Sequence, residues 1–206
     1  MSGSQGISVL MANSLMFQRS PKPVEGYKDP QLSNFYGEAL PFLKRGIPVG
    51  ITHLENVGYA DTWRGVKVLL MSYSNMKHLA EWVRGGGVIV YSGRDDDPYQ
   101  KVYEWWNQNG NTFSAPSQHL FQLMQMPENP SEGEYAYGKG RVYVIRQDPK
   151  EFVLKEGGDA VLVATVRKAY GKLEMKNNLT LQRGPYQLAA VLDEGVVSNK
   201  PLVMKG

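Results

Sequence analysis

Two apolar runs joined by one short helix constrain this chain more than anything else in it. "VKVLLMSY" (66–73) and "VIVYSG" (88–93) are continuous hydrophobic segments of strand length, the pattern of strands buried on both faces. Between them, "HLAEWVRGGG" reads as a short helix stopped by glycine. Strand, helix and strand in so short a span mean a right-handed crossover, and hence a parallel sheet covered on both sides. The connection has room for only about two helical turns, near the lower limit for such a unit. Residues missing around Lys77–His78 would explain that compression.

The same alternation runs through the rest of the chain. "GISVLMANSL" (6–15) reads as a first buried strand, followed by the Pro-rich loop "SPKPVEGYKDP". "DPQLSNFYGEALPFLKRG" (29–46) places Leu32, Phe35, Tyr36, Ala39, Leu40 and Leu43 at helical spacing, with Gly46 as a stop. "IPVGITHL" and "GKGRVYVIRQ" supply further strands, "DPKEFVL" and "GGDAVLVATVRKAYGK" closing helices, and 110–138 reads as loop-rich. Strands near 7–12, 47–52, 66–72, 88–92 and 141–145, alternating with helices, predict an α/β fold with a doubly wound, mainly parallel sheet of flavodoxin type.

From 173 the pattern changes. "LEMKNNLTLQRGPYQLAAVLDE" alternates with period two and carries turn signals. Residues 1–172 therefore read as the α/β domain, and 173–206 as a β-hairpin segment resembling the start of a C-terminal β-sandwich. On this reading the chain is a piece of something larger.

Composition removes several classes of function. With 206 residues, 42% hydrophobic and 21% charged, the chain can build one ordinary core. The net charge of +3 is scattered between acids, so no nucleic-acid partner is expected. No run approaches the roughly 18–20 apolar residues that span a bilayer, so no membrane partner is expected either. The polar start "MSGSQG" reads as a linker remnant. With no cysteine, the chain can form neither disulfides nor zinc–thiolate sites nor a thiol nucleophile. His53, His78 and His119 each stand alone in their segments, so no metal is expected.

"VKVLLMSYSNM…HLAEWVRGGGVIVYSGRDDDP", the opening "VLMANSLMFQR" and the tail "LTLQRGPYQLAAVLDEGVVSNKPLVMKG" together resemble a known kind of domain. It is the glutamine-amidotransferase-like, flavodoxin-type domain that follows the catalytic barrel in many multidomain glycoside hydrolases. The chain looks similar to the trimerisation domain of the β-galactosidases that carry one. The shared pattern is an apolar strand, a helix ending in a glycine cluster, and an apolar strand ending in glycine. Two departures matter. True class I amidotransferases use a cysteine that this chain lacks, and nothing here has the roughly 250 residues of a (βα)8 barrel. The resemblance therefore implies a non-catalytic, class I amidotransferase-like domain in a glycoside-hydrolase-type parent, without a cofactor. Its expected partners are a catalytic barrel or other domains of the same chain, and further copies in a homo-oligomer.

The chemistry-bearing stretch is "YSGRDDDPYQKVYEWWN" (91–107), at the carboxyl end of a central strand, where open α/β sheets place their crevices. Arg94, Asp95 and Asp96 with Trp105 offer hydrogen bonds to hydroxyls and a flat indole for a sugar ring. Asn13 and Arg19, leaving the first strand, complete the carbohydrate-binding candidates. The same residues also read as a helix start, with Asp97 as N-cap before Pro98. As a hydrolytic pair the aspartates fail, because glycosidase carboxylates face each other across about 5–10 Å. A Mg²⁺ site lacks the helper lysine and hydroxyl of phosphoryl transfer.

The remaining motifs are weaker. Ser14 lacks a nucleophile elbow. His53 and Glu55, two apart, share a side of an extended strand but have no third group. "RGGGV" runs from helix to strand, the reverse of a phosphate loop, and reads as a C-cap and turn. Trp63, Trp82, Trp105 and Trp106, with Met16, Phe17, Phe121, Met124 and Met126, give a high content of large apolar residues, and "HLFQLMQM" (119–126) need not be wholly core, since exposed Met and aromatic residues commonly mark an interface. The alternative function is a small hydrolase or transferase using Asp95, Asp97 or His53 at the strand ends. A flavin or nucleotide binder would need a phosphate loop that the first strand lacks.

Overall fold

The structure, a computed structural model, describes residues 6–12, 35–72, 77–94 and 112–192. Six strands make one sheet. They are β1 (Ile7–Met11), β2 (Gly50–His53), β3 (Val68–Met71), β4 (Val88–Ser92), β5 (Gly133–Tyr137) and β6 (Gly140–Ile145), in the order β2-β1-β3-β4-β6-β5. All neighbours pair parallel except β5, which folds back antiparallel on β6. The order of the five parallel strands is that of a flavodoxin-like α/β fold, with the sheet's direction of winding reversing between β1 and β3.

The alternation of side chains along each strand fills two cores. Ile7, Val9, Val68, Leu70, Val90, Tyr143 and Ile145 pack on one face against three helices: α1 (Gly37–Leu43), α4 (Glu151–Leu154) and α5 (Ala160–Tyr170). Leu10, Leu69, Met71, Ile89, Tyr91, Val142 and Val144 pack on the other against α2 (Lys77–Arg84) and α3 (Pro116–Leu123). β3 and β4 are buried on both faces, as their unbroken apolar runs require.

Several boundaries differ from the sequence reading. The second strand is Gly50–His53 and not 47–52, because Ile47 is spent on the turn, donating its backbone N–H to Phe42 O at 3.0 Å and burying its side chain. In α1 two interleaved stripes compete. Ala39 and Phe42 go inward, while Tyr36 and Leu40 stay exposed. The loop-rich stretch 110–138 holds α3 and the edge strand β5. Leu120, Phe121 and Met124 recur at helical spacing there and are buried, with Met126 beside them. Phe121 meets Tyr91 edge to face at 5.1 Å. Phe121, Met124 and Met126 are therefore core residues and not the interface the sequence suggested, whereas Met16 and Phe17 lie outside the described residues.

Glycine joins α2 to the sheet. "RGGGV" caps the helix as expected, with Gly85, Gly86 and Gly87 N–H groups donating to Glu81, Val83 and Trp82 carbonyls. Gly87 also seats an indole: a Cβ there would lie 2.4 Å from the Trp82 ring. The other face of Trp82 stacks on Trp63, with centroids 4.6 Å apart and planes at 16°.

After α5 the chain packs briefly on the first core through Leu173 and Met175, and Lys176 N–H donates to Arg45 O at 2.7 Å. It then forms a separate antiparallel hairpin, β7 (Asn178–Arg183) and β8 (Tyr186–Val191).

Candidate functional site

The parallel strands deliver their polar residues to one edge. β4 ends at Ser92 and is followed by Gly93 and Arg94. Of the six sequence-predicted binding residues, Arg94 is described, while Asn13, Arg19, Asp95, Asp96 and Trp105 lie outside the described residues. Arg94 does not simply project over the crevice. Its Nη1 donates to Glu151 Oε1 at 3.1 Å, and Lys155 Nζ donates to the second carboxylate oxygen at 3.0 Å. Glu151 opens α4, so this ion pair ties the end of β4 to the helix layer on the first face.

Arg146, just past β6, braces the same edge. Its Nε and Nη2 donate to Pro130 O at 2.9 and 2.7 Å, and its Nη1 donates to Gly93 O at 3.2 Å. Its backbone N–H donates to Glu132 Oε1 at 2.9 Å. One guanidinium thus fixes both the exit of β4 and the loop leading into β5.

Glu38, in the first turn of α1, is the most unusual side chain described. It is 0% exposed, and neither carboxyl oxygen has a hydrogen-bond partner among the described residues. Burial pushes its pKa well above the ordinary carboxylate value. Ser92 Oγ, on the last residue of β4, and Gln147 Oε1, after β6, are also buried without partners among the described residues. Sequence reasoning missed Glu38, Ser92, Gln147 and Arg146. A carboxylate within an apolar stripe, between Phe35 and Phe42, was the one signal that could have exposed Glu38.

The other candidates stay apart. His53 closes β2 on the far edge strand, and exposed His78 approaches Glu81 at 3.5 Å on α2. His119 stacks on Phe113 at 5.3 Å, and burial pulls its pKa down. No group of three metal-ligating side chains comes together among the described residues. At the opposite, amino edge, a cavity of about 500 Å³ is lined by Lys67, Trp82 and Tyr170 among others. Lys67 Nζ sits 5.1 Å from the Tyr170 ring centre.

At the carboxyl edge, Ser92 closes β4 and Gln147 follows β6, while the nearby strand exit carries Arg94, whose guanidinium is paired with Glu151. Scanned against protein-family models and against curated proteins, the chain finds no match.

Proposed function

We propose that this chain is a non-catalytic ancillary domain of a glycoside-hydrolase-type protein. It packs on a catalytic barrel, mediates association between copies, and lends its carboxyl edge to a carbohydrate site. The observation that carries the association claim is β8. All six of its residues are exposed, and Tyr186, Leu188 and Val191 are 72%, 55% and 61% exposed. β8 holds no charged residue and no proline, the usual guards of a free edge, and pairs only with β7 among the described residues. Two strands alone are marginal in water, so such a hairpin calls for cover.

The resemblance to amidotransferase-like domains supports the parent enzyme. The missing thiol and missing barrel support the ancillary role. Size-exclusion chromatography with light scattering tests the reading. The wild-type chain is expected to associate with itself, and Leu188→Lys to weaken that association about tenfold or more, since a charge must then be desolvated at the contact. A wild-type monomer with no affinity for a barrel partner would sink the reading.

A further inference from the structure

The hairpin of β7 and β8 leaves one row of its backbone without a partner among the described residues. Its register runs from Arg183 opposite Tyr186 to Asn178 opposite Val191, and one step further Leu192 N–H donates to Asn177 O at 2.9 Å. In an antiparallel pair, alternate residues turn both backbone groups toward the neighbouring strand. Tyr186, Leu188 and Ala190 are in phase with Leu192, so theirs point to β7. Gln187, Ala189 and Val191 therefore turn their N–H and C=O groups outward, along the free edge. The two strands are not equivalent. β7 begins against the body of the domain, where a Cβ on Gly46 would lie 2.5 Å from Asn178 O, and Leu179, Thr180 and Leu181 are half-buried. β8 is exposed throughout.

We propose that β8 pairs antiparallel with β8 of a second copy of this chain, about a two-fold axis at Ala189; this pairing rests on the association reading above. A two-fold lays an antiparallel edge onto itself, so the chain supplies its own matching free edge. With the axis at Ala189, that residue faces its own counterpart and Gln187 faces Val191 of the other copy, so all three outward residues are bonded. An axis at Leu188 would leave Val191 unbonded, and one at Ala190 would leave Gln187. The side chains agree with this register. Opposed residues share a face, so Leu179, Leu181, Leu188 and Ala190 make one apolar face of the hairpin. The two-fold continues that face into the second copy, with large Leu188 beside small Ala190. Charge agrees as well. β8 carries none, so two copies meet without like-charge repulsion, whereas a charged foreign strand would find no counter-charge there. The contact is small beside the roughly 800 Å² per partner of a standard interface, so the dimer should form and dissociate with concentration.

The chain has no cysteine, so an introduced thiol can react only with its own counterpart. The whole chain carrying Ala189→Cys is treated with diamide and read on a non-reducing gel, with Gln187→Cys, also exposed, as the control. Opposed residues at the axis have Cα atoms about 5.5 Å apart, within the span of a disulfide. The two copies of position 187 lie about 14 Å apart, outside it. Ala189→Cys is expected to cross-link about tenfold faster than Gln187→Cys or better. Ala189→Pro supplies a second reading. It removes an outward N–H that β7 does not use, so the hairpin tolerates it, while association should weaken about tenfold or more. Amide exchange at Leu188 and Ala190 reports whether the hairpin persists in that variant, and if it does not, the thiol comparison decides alone. Equal cross-linking at the two positions would overturn the pairing. So would an unlinked Ala189→Cys in a chain that still associates by light scattering, and the association reading would then stand without it. A chain monomeric at every concentration would remove both.

Discussion

Gly140→Ala is expected to unfold the domain or to cost more than about 3 kcal/mol of stability, measured by urea titration followed by circular dichroism. A Cβ at Gly140 would lie 2.0 Å from Val83 O and 2.3 Å from Gly87 O. Both are backbone atoms, one in the last turn of α2 and the other at the entry to β4, so neither can step aside as a side chain would. Gly87 O is also occupied, accepting the N–H of Arg141. Across the same turn, Gly138 sits at φ +59, with Arg84 O 2.6 Å from where its Cβ would be. The β5–β6 turn is thus pressed backbone to backbone on the end of α2. Gly184→Ala is the control. It faces open space at φ +58, so only the left-handed backbone opposes the methyl, roughly 1–2 kcal/mol. Equal losses at the two positions would show that the close approach at Gly140 does not exist.

Asp159→Asn is expected to cost about 2–3 kcal/mol at neutral pH, less than a fully buried pair because its partners reach solvent. The carboxylate is 4% exposed and accepts from Arg45 Nη1 at 2.6 Å and Nη2 at 3.2 Å, with Lys44 Nζ alongside. This cluster pins α5 to the end of α1. Burial alone would raise the Asp159 pKa, but the hydrogen bonds from Arg45 and Lys44 outweigh it and hold it below the ordinary value. A depressed carboxyl contributes stability that is fully present above its unfolded value of about 3.9 and lost as pH falls through its lower folded value. The variant's stability should therefore decline less steeply on acidification. Glu38 acts in the opposite sense. Its raised pKa gives stability that is complete below about 4.3 and lost as pH rises through the folded value. Glu38→Gln should flatten that rise-linked loss and leave the acid limb alone. An Asp159→Asn protein with an unchanged acid limb would show that the ion cluster does not set it.

How far the fold could be read depended on whether a residue's burial followed from its neighbours in sequence. "VLLM" and "VIVY" are apolar in every phase, so no register error could hide them. α1 was harder, because Phe35–Ala39–Phe42 and Tyr36–Leu40–Leu43 are both helical stripes, and only the sheet chooses between them. β5 escaped because "GEYAY" is a short edge strand with exposed side chains, and such a strand carries little hydrophobic signal. α3 lies in the stretch that read as loop-rich, and Pro116 sits at its start, where proline is welcome. At the site, Arg94 was legible as a polar residue at a strand end. Its carboxylate partner, Glu151, stands 57 residues away and could not be paired with it from spacing. Glu38 was hidden for a similar reason, since a charged residue in a helix is normally assigned to its wet side.

The Trp63–Trp82–Gly87 sandwich gives the molecule a built-in optical reporter. Two indoles in van der Waals contact absorb and emit unlike separated ones, and here their contact depends on α2 lying flat against a single bare backbone atom. Any event that tilts this helix, whether a ligand at the far edge or a neighbour at β8, would be visible as an ultraviolet signal without a label.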